Sequence, residues 1–287
     1  MTITGAARLA GIMGWPIAHS RSPLLHSFWI KEHGIDGVYL PMAVQPDDIE
    51  QALRALPVLG FRGCNLTIPH KQAALRIADR VDPLARRIGA VNTIVVAGDG
   101  TLEAGNTDIY GFNENLRDCA PNWSPIAGPA VVLGAGGSSR AVIAGLGDAG
   151  VREIHIVNRT RSRAEAVAND LATPQTRMSV HSWDGVRDVL DGAGLLVNTT
   201  SLGMIGQPPL ELDLSLLPRS APVVDIVYVP LETGLLAAAR RRGHPIVDGL
   251  GMLLHQGRPG FEAWFETKVG VTPALRAEIV KTLAAET

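Results

Sequence analysis

The run Ala130-Val131-Val132-Leu133 is apolar at every position and is bounded by Gly128-Pro129 on one side and Gly134 on the other. Such a short, unbroken apolar stretch predicts a strand covered on both faces. Helical periodicity follows over about residues 139–149, then a second extended run over residues 153–157. Further strands are predicted at residues 194–198, 223–227 and 245–247, with helical patterns between several of them. Strands alternating with helices in this way define βαβ units and a parallel, doubly wound sheet.

The pattern is different nearer the N-terminus. Residues 37–44 read as a strand, and residues 47–56 as a helix whose first turn is acidic. Residues 63–68 are strand-like, 71–79 helical and 93–97 strand-like again. Ser22 followed by Pro23 fits a helix N-cap and first helical position. Pro121-Asn122-Trp123-Ser124-Pro125 and Gly128-Pro129 interrupt the rhythm and mark a domain boundary. From about residue 251 onward the sequence predicts two helices with no strand between them. The fold class is therefore α/β. An N-terminal domain over residues 1–120 precedes a Rossmann-like domain over residues 121–250.

Composition narrows the function classes. The 287 residues carry 26 basic and 28 acidic side chains, so no bulk charge favours nucleic acid or an anionic membrane. No stretch approaches the ~20 apolar residues of a membrane span, and no secretory signal is expected. The two cysteines, Cys64 and Cys119, lack metal-ligand spacing and point to a reducing compartment, so a cytoplasmic location is expected. His19, His70 and His255 lie beside polar clusters but read as turn or packing residues, and no metal site is expected. Arg240-Arg241-Arg242 ends an alanine-rich helical pattern, where cations suit the helix dipole.

Candidate chemistry begins with Gly134-Ala135-Gly136-Gly137-Ser138-Ser139, placed after one strand and before a helix. Glycines there permit a tight turn and let a phosphate approach backbone amides at the positive helix end. Ser139 takes the place of the usual third glycine. At the end of the next strand, an acid would bind the ribose 2′-hydroxyl of NAD. This chain has Asn158-Arg159-Thr160-Arg161-Ser162-Arg163 instead. Three arginines with no acid suit a 2′-phosphate, which predicts NADP as cofactor.

Small polar residues cluster at Gly14–Pro23, at Asn65-Leu66-Thr67-Ile68-Pro69-His70-Lys71, and at Gly89–Thr93 with Gly105–Phe112. Read singly, each is ordinary turn chemistry. Lys71 stands out because lysine is rare here, with four lysines against 22 arginines. A lysine amine can be tuned to release a proton, whereas an arginine stays charged.

Taken in order, these clusters resemble the shikimate dehydrogenase family, and the likeness continues through Asn198-Thr199-Thr200-Ser201-Leu202-Gly203-Met204, Asp225-Ile226-Val227-Tyr228-Val229-Pro230 and Asp248–Gly257. It spans roughly residues 11–265. The resemblance implies two α/β domains with a cleft between them, the C-terminal helices of residues 251–287 packing back onto the first. It implies NADP-dependent reduction of 3-dehydroshikimate to shikimate in aromatic amino-acid biosynthesis. Ser20, Ser22, Asn65, Thr67, Asn92, Asp108, Tyr228 and Gln256 would surround the substrate, with Lys71 and Asp108 as the catalytic pair. Gly134, Ala135, Gly136, Gly137, Ser138, Asn158, Arg159, Thr160, Arg163, Ile226 and Gly249 would contact NADP. The expected partner is a small molecule, and the chain is expected to be a monomer or homodimer. Hydroxyl and amide side chains suit a polyol acid, because they offer many donors and acceptors without excess charge.

Two positions depart from the family pattern. Ile109 follows Asp108 where glycine is common, and a positive φ is closed to it, so a differently shaped turn is expected. Ile226 stands where methionine is frequent. Three alternatives remain open: a quinate/shikimate paralogue using NAD(P), a non-catalytic dinucleotide sensor, and a methylenetetrahydrofolate dehydrogenase of similar plan. The paired Ser20 and Ser22 favour shikimate over quinate, and a sensor would need neither Lys71 nor Asp108.

Overall fold

The structure, a computed structural model, describes residues 3–283. The chain divides into two compact units, one comprising residues up to Thr107 with Gln256–Thr282, the other comprising Asp108–His255.

The first unit holds a mixed sheet of β1 (Arg8–Gly14), β2 (Gly37–Ala43), β3 (Phe61–Leu66), β4 (Arg80–Val81), β5 (Thr93–Val96) and β6 (Leu102–Gly105). Their order is β2-β1-β3-β5-β6-β4. β1 runs parallel to β2 and β3, whereas β5 is antiparallel to β3 and β6. Alternation sorts the side chains by face. Cys64, Leu66 and Ile94 join Leu53, Leu56 and Ile77 in one apolar core, leaving Asn65 and Thr93 on the other face. Trp264, from the helix Gly249–Phe265, is fully buried and donates its indole N–H to the Ile94 carbonyl at 2.9 Å. Trp264→Phe removes that hydrogen bond, and we expect a loss of about 1 kcal/mol in chemical denaturation.

The second unit holds β7 (Ala130–Leu133), β8 (Glu153–Val157), β9 (Arg177–His181), β10 (Leu195–Asn198), β11 (Val223–Asp225) and β12 (Ile246–Val247). All pair in parallel, in the order β12-β11-β10-β7-β8-β9. Every residue of β7 is buried, as an all-apolar strand requires. The strand order reverses between β7 and β10, and ligands of open parallel sheets bind at the carboxyl ends flanking such a reversal.

Three local expectations change. Residues 71–73 are turn and helix forms only over Ala74–Ile77, because Val91 N–H bonds the Lys71 carbonyl at 2.8 Å and tertiary contacts shape the segment. Ser22 lies inside the helix Ser22–Glu32, whose N-cap is Arg21 without a side-chain bond. Ile109 needs no special turn, since it sits in the first turn of the helix Asp108–Cys119 and packs buried near Gly145.

Candidate active site

In the first unit, one largely buried network joins three of the predicted substrate residues, Asn65, Asn92 and Gln256. Asn65, on β3, donates from Nδ2 to the Asn92 carbonyl at 3.1 Å and to Thr93 Oγ1 at 3.2 Å. Asn92 Oδ1 in turn accepts from Thr93 Oγ1 at 2.9 Å, from Thr107 N at 2.8 Å and from Thr107 Oγ1 at 3.2 Å. The oxygen of Gln256 receives Asn92 Nδ2 at 3.4 Å and Thr107 Oγ1 at 3.5 Å. Asn65, Asn92, Thr93 and Thr107 are all buried, so this is a preorganised array of neutral polar groups rather than a hydrated surface. Thr93 and Thr107 have the same chemistry as the predicted residues. Alternation alone could have pointed to Thr93, which pairs with Asn65 across β3 and β5.

The remaining predicted residues of the first unit lie outside these bonds, Ser20, Thr67 and Lys71 in loops and turns and Ser22 at the start of its helix. Ser20 Oγ accepts the Ser22 N–H at 3.3 Å, and Ser22 is buried. Thr67 follows β3, its N–H bonded to the Met13 carbonyl at 3.0 Å. Lys71 is half-buried one turn further on. Its neighbour His70 is fixed by a 2.9 Å bond between Nε2 and the Val44 carbonyl, and burial lowers the His70 pKa. His70 is thus a packing residue that holds the Lys71 loop in place.

The second unit brings the predicted phosphate-binding residues to the reversal point. Gly134 ends β7 with φ +109°, a backbone state that disfavours any side chain, and an added Cβ would lie 2.7 Å from Thr199 Oγ1. Gly136 caps the helix Gly137–Asp148, and space is open around the Cβ positions of both Gly136 and Gly137. The first amides of that helix have no intrahelical acceptors, so an anion fits there without displacing protein atoms. Ser139 is fully buried and donates its hydroxyl to the Gly136 carbonyl at 2.6 Å, which explains how it replaces a glycine.

Beyond β8, Asn158 Nδ2 donates to the Thr160 carbonyl at 2.8 Å. Thr160 is the N-cap of the helix Arg161–Asp170. Arg159, Thr160 and Arg163 are exposed. Arg161 is tied to Glu165 at 2.7 Å, whereas Arg159 and Arg163 make no ion pair among the described residues. Gly249 lies against the loop after β11, where an added Cβ would come within 2.2 Å of the Ile226 carbonyl oxygen. Only glycine permits that approach. Tyr228 follows two residues later, half-buried, and Asp108 opens the helix Asp108–Cys119.

One buried group was not predicted. Asp225 ends β11 and accepts Asn198 Nδ2 at 2.9 Å, Val227 N at 3.1 Å and Thr233 Oγ1 at 2.7 Å. Burial pushes its pKa up to about 6. Its position inside the Asp225–Pro230 motif was the only available signal. Among the described residues, no group of His, Cys, Asp and Glu is placed to hold a metal ion, and no helix is long and apolar enough to cross a membrane.

A parallel sheet in this strand order, with a glycine turn at its reversal point, defines a dinucleotide-binding class of α/β protein. Two family models match the chain: the shikimate dehydrogenase substrate binding domain over residues 12–94 and shikimate / quinate 5-dehydrogenase over residues 127–204. The shikimate dehydrogenase (NADP(+)) of Paramagnetospirillum magneticum is 59% identical over 278 residues, covering 97% of this chain and 100% of that protein. The Thermus thermophilus shikimate 5-dehydrogenase, solved with NADP(H) and shikimate, aligns at TM-score 0.82 and 36% identity, covering 96% and 99% of the two chains. The quinate dehydrogenase of Corynebacterium glutamicum, solved with NAD, aligns at TM-score 0.89 and 32% identity, covering 96% and 99%. The chain belongs to the shikimate dehydrogenase family.

Proposed function

We propose that the chain catalyses the reversible, NADP-dependent reduction of 3-dehydroshikimate to shikimate, serving aromatic amino-acid biosynthesis. The observation that carries this reading is the array of buried Asn92 and Thr107 with half-buried Gln256, backed by Asn65 and Thr93, a neutral polar surface suited to a ring bearing several hydroxyls. Residues 1–120, with the helices beyond residue 251, bind substrate in this reading, and residues 121–250 bind the cofactor. Ser20, Ser22, Thr67, Asn92, Tyr228 and Gln256 hold the carboxylate and hydroxyls. NADPH, when bound, supplies the hydride for C3 of the ketone.

The protein supplies orientation and the proton. In the reductive direction Lys71 delivers a proton to the oxygen developing at C3, and Asp108 orients the same hydroxyl. In oxidation the same groups take that proton back. Gly134, Ala135, Gly136, Gly137 and Ser138 cradle the pyrophosphate, while Asn158, Arg159, Thr160 and Arg163 receive the 2′-phosphate. Ile226 and Gly249 shape the nicotinamide end. Initial rates with shikimate and quinate, each with NADP and NAD, test the reading. Turnover chiefly on shikimate with NADP supports it; a preference for quinate with NAD makes the chain a catabolic paralogue, and NADP binding without turnover makes it a sensor.

The arginines give a sharper test of cofactor choice. Arg159→Ala and Arg163→Ala are each expected to raise KM for NADP about tenfold, the scale of one partly exposed charge-assisted bond. Neither changes KM for NAD. Arg161→Ala, whose partner is already Glu165, has a smaller effect.

A further inference from the structure

The substrate network does not end at Asn65. Behind it, on β2, lies Tyr39, 3% exposed, which donates its phenol to Asn65 Oδ1 at 2.7 Å. Burial raises the Tyr39 pKa well above its ordinary value, so the phenol stays a donor. One face of the Tyr39 ring is stacked by His26, with centroids 3.9 Å apart and planes within 1°. His26 is completely buried, neither of its ring nitrogens has a hydrogen-bond partner among the described residues, and burial lowers its pKa to about 3. It serves as a neutral plate that keeps Tyr39 in place, with Trp264 packed nearby.

The consequence concerns the Asn65 amide. Its oxygen receives Tyr39, and its two N–H groups go to Asn92 and Thr93. A side-chain amide has two donors only, so Asn65 has none left to offer a ligand. If the amide turned over, its NH2 would face the Tyr39 phenol, and two donors behind Asn92 would be lost. Tyr39 therefore fixes which end of Asn65 faces Asn92, and through Asn92 it fixes the oxygen of Gln256.

We propose that Tyr39 is a positioning residue for the substrate site and acts through Asn65, which supports the contact surface rather than touching substrate. This inference rests on the function proposed above. Tyr39→Phe keeps the ring stacked on His26 and removes only the hydroxyl. It is expected to raise KM for shikimate about three- to tenfold, the range of one hydrogen bond. Both kcat and KM for NADP should stay within about twofold. Asn65→Ala should produce a similar or larger rise, and the double variant should match Asn65→Ala alone, since the hydroxyl then has nothing to position. Asn65→Asp, which keeps an acceptor for Tyr39 but deletes both donors, should also weaken shikimate binding.

Three results would overturn the proposal. One is a Tyr39→Phe enzyme with unchanged KM for shikimate, whatever its melting temperature. Another is an Asn65→Asp enzyme that binds shikimate as well as the parent. A third is effects of Tyr39→Phe and Asn65→Ala that multiply in the double variant, which would mean that Tyr39 does not act through Asn65. The unmodified protein is assayed alongside: if it does not turn over shikimate, the proposed function fails instead.

Discussion

Lys71→Ala is expected to lower kcat for shikimate oxidation by about a hundredfold to ten-thousandfold, with a much smaller change in KM for shikimate. That range is what a positioned proton-transfer group contributes to a transition state. An interaction made only in the transition state is lost from kcat and kcat/KM together, whereas lost ground-state binding appears in KM. The surroundings of Lys71 favour the first outcome. The loop that carries it is fixed at three points: the Thr67 N–H on the Met13 carbonyl, His70 Nε2 on the Val44 carbonyl, and the Val91 N–H on the carbonyl of Lys71 itself. Removing the side chain leaves those main-chain bonds in place, so folding should survive. Lys71→Arg is the decisive companion, because it keeps the positive charge but cannot release a proton at working pH. An equally slow arginine variant identifies proton transfer as the role. An arginine variant that keeps most of the activity would reduce Lys71 to an electrostatic anchor.

How far the sequence could be read depended on which force shaped each segment. β7 and β8 occupy the runs that their apolar residues mark, because a strand buried on both faces needs apolar side chains throughout. β9, Arg177–His181, escaped notice: it is the edge strand of its sheet, and its alternation of polar and apolar residues is too short to separate from loop. β1, broken by Gly11 and Gly14, was hidden by the polar cluster that follows it. Residues 71–79 carry a helical pattern, yet the bond from Val91 holds the first of them in a turn, a case of tertiary contact overriding local preference. The polar residues of the candidate site could be proposed from the sequence because their motifs are contiguous. Tyr39 was not, since an aromatic in an alternating strand reads as core, and its hydroxyl partner is 26 residues away. His26 was silent for the same reason.

Asp225→Ala is expected to destabilise the protein by about 3 kcal/mol near pH 8, the second-largest effect. The substitution orphans three buried donors, Asn198 Nδ2, Val227 N–H and the Thr233 hydroxyl, each worth about 1–3 kcal/mol, and part of this is offset by removing a desolvated charge. Thr233 is also the N-cap of the helix Gly234–Arg242, bonding the Leu236 N–H, so the loop carrying Ile226 and Tyr228 would lose both of its ends. Asp225→Asn separates charge from shape. Its oxygen can still accept from Asn198 and Val227, and its NH2 can donate to Thr233 Oγ1, so the cost should fall below about 1 kcal/mol. The pH dependence distinguishes the two states of the parent. The folded pKa is raised from 3.8 to about 6, so the native state binds this proton more tightly than the unfolded chain does. That stability is fully present below pH 3.8 and is lost as pH rises through 6, a change of about 3 kcal/mol for roughly two pK units. Urea titrations from pH 4 to pH 8 should therefore show a contribution that falls with rising pH in the parent and is missing from Asp225→Asn. Identical slopes in the two proteins would mean that Asp225 titrates as an ordinary carboxylate, and that the loop after β11 is held by its hydrogen bonds alone.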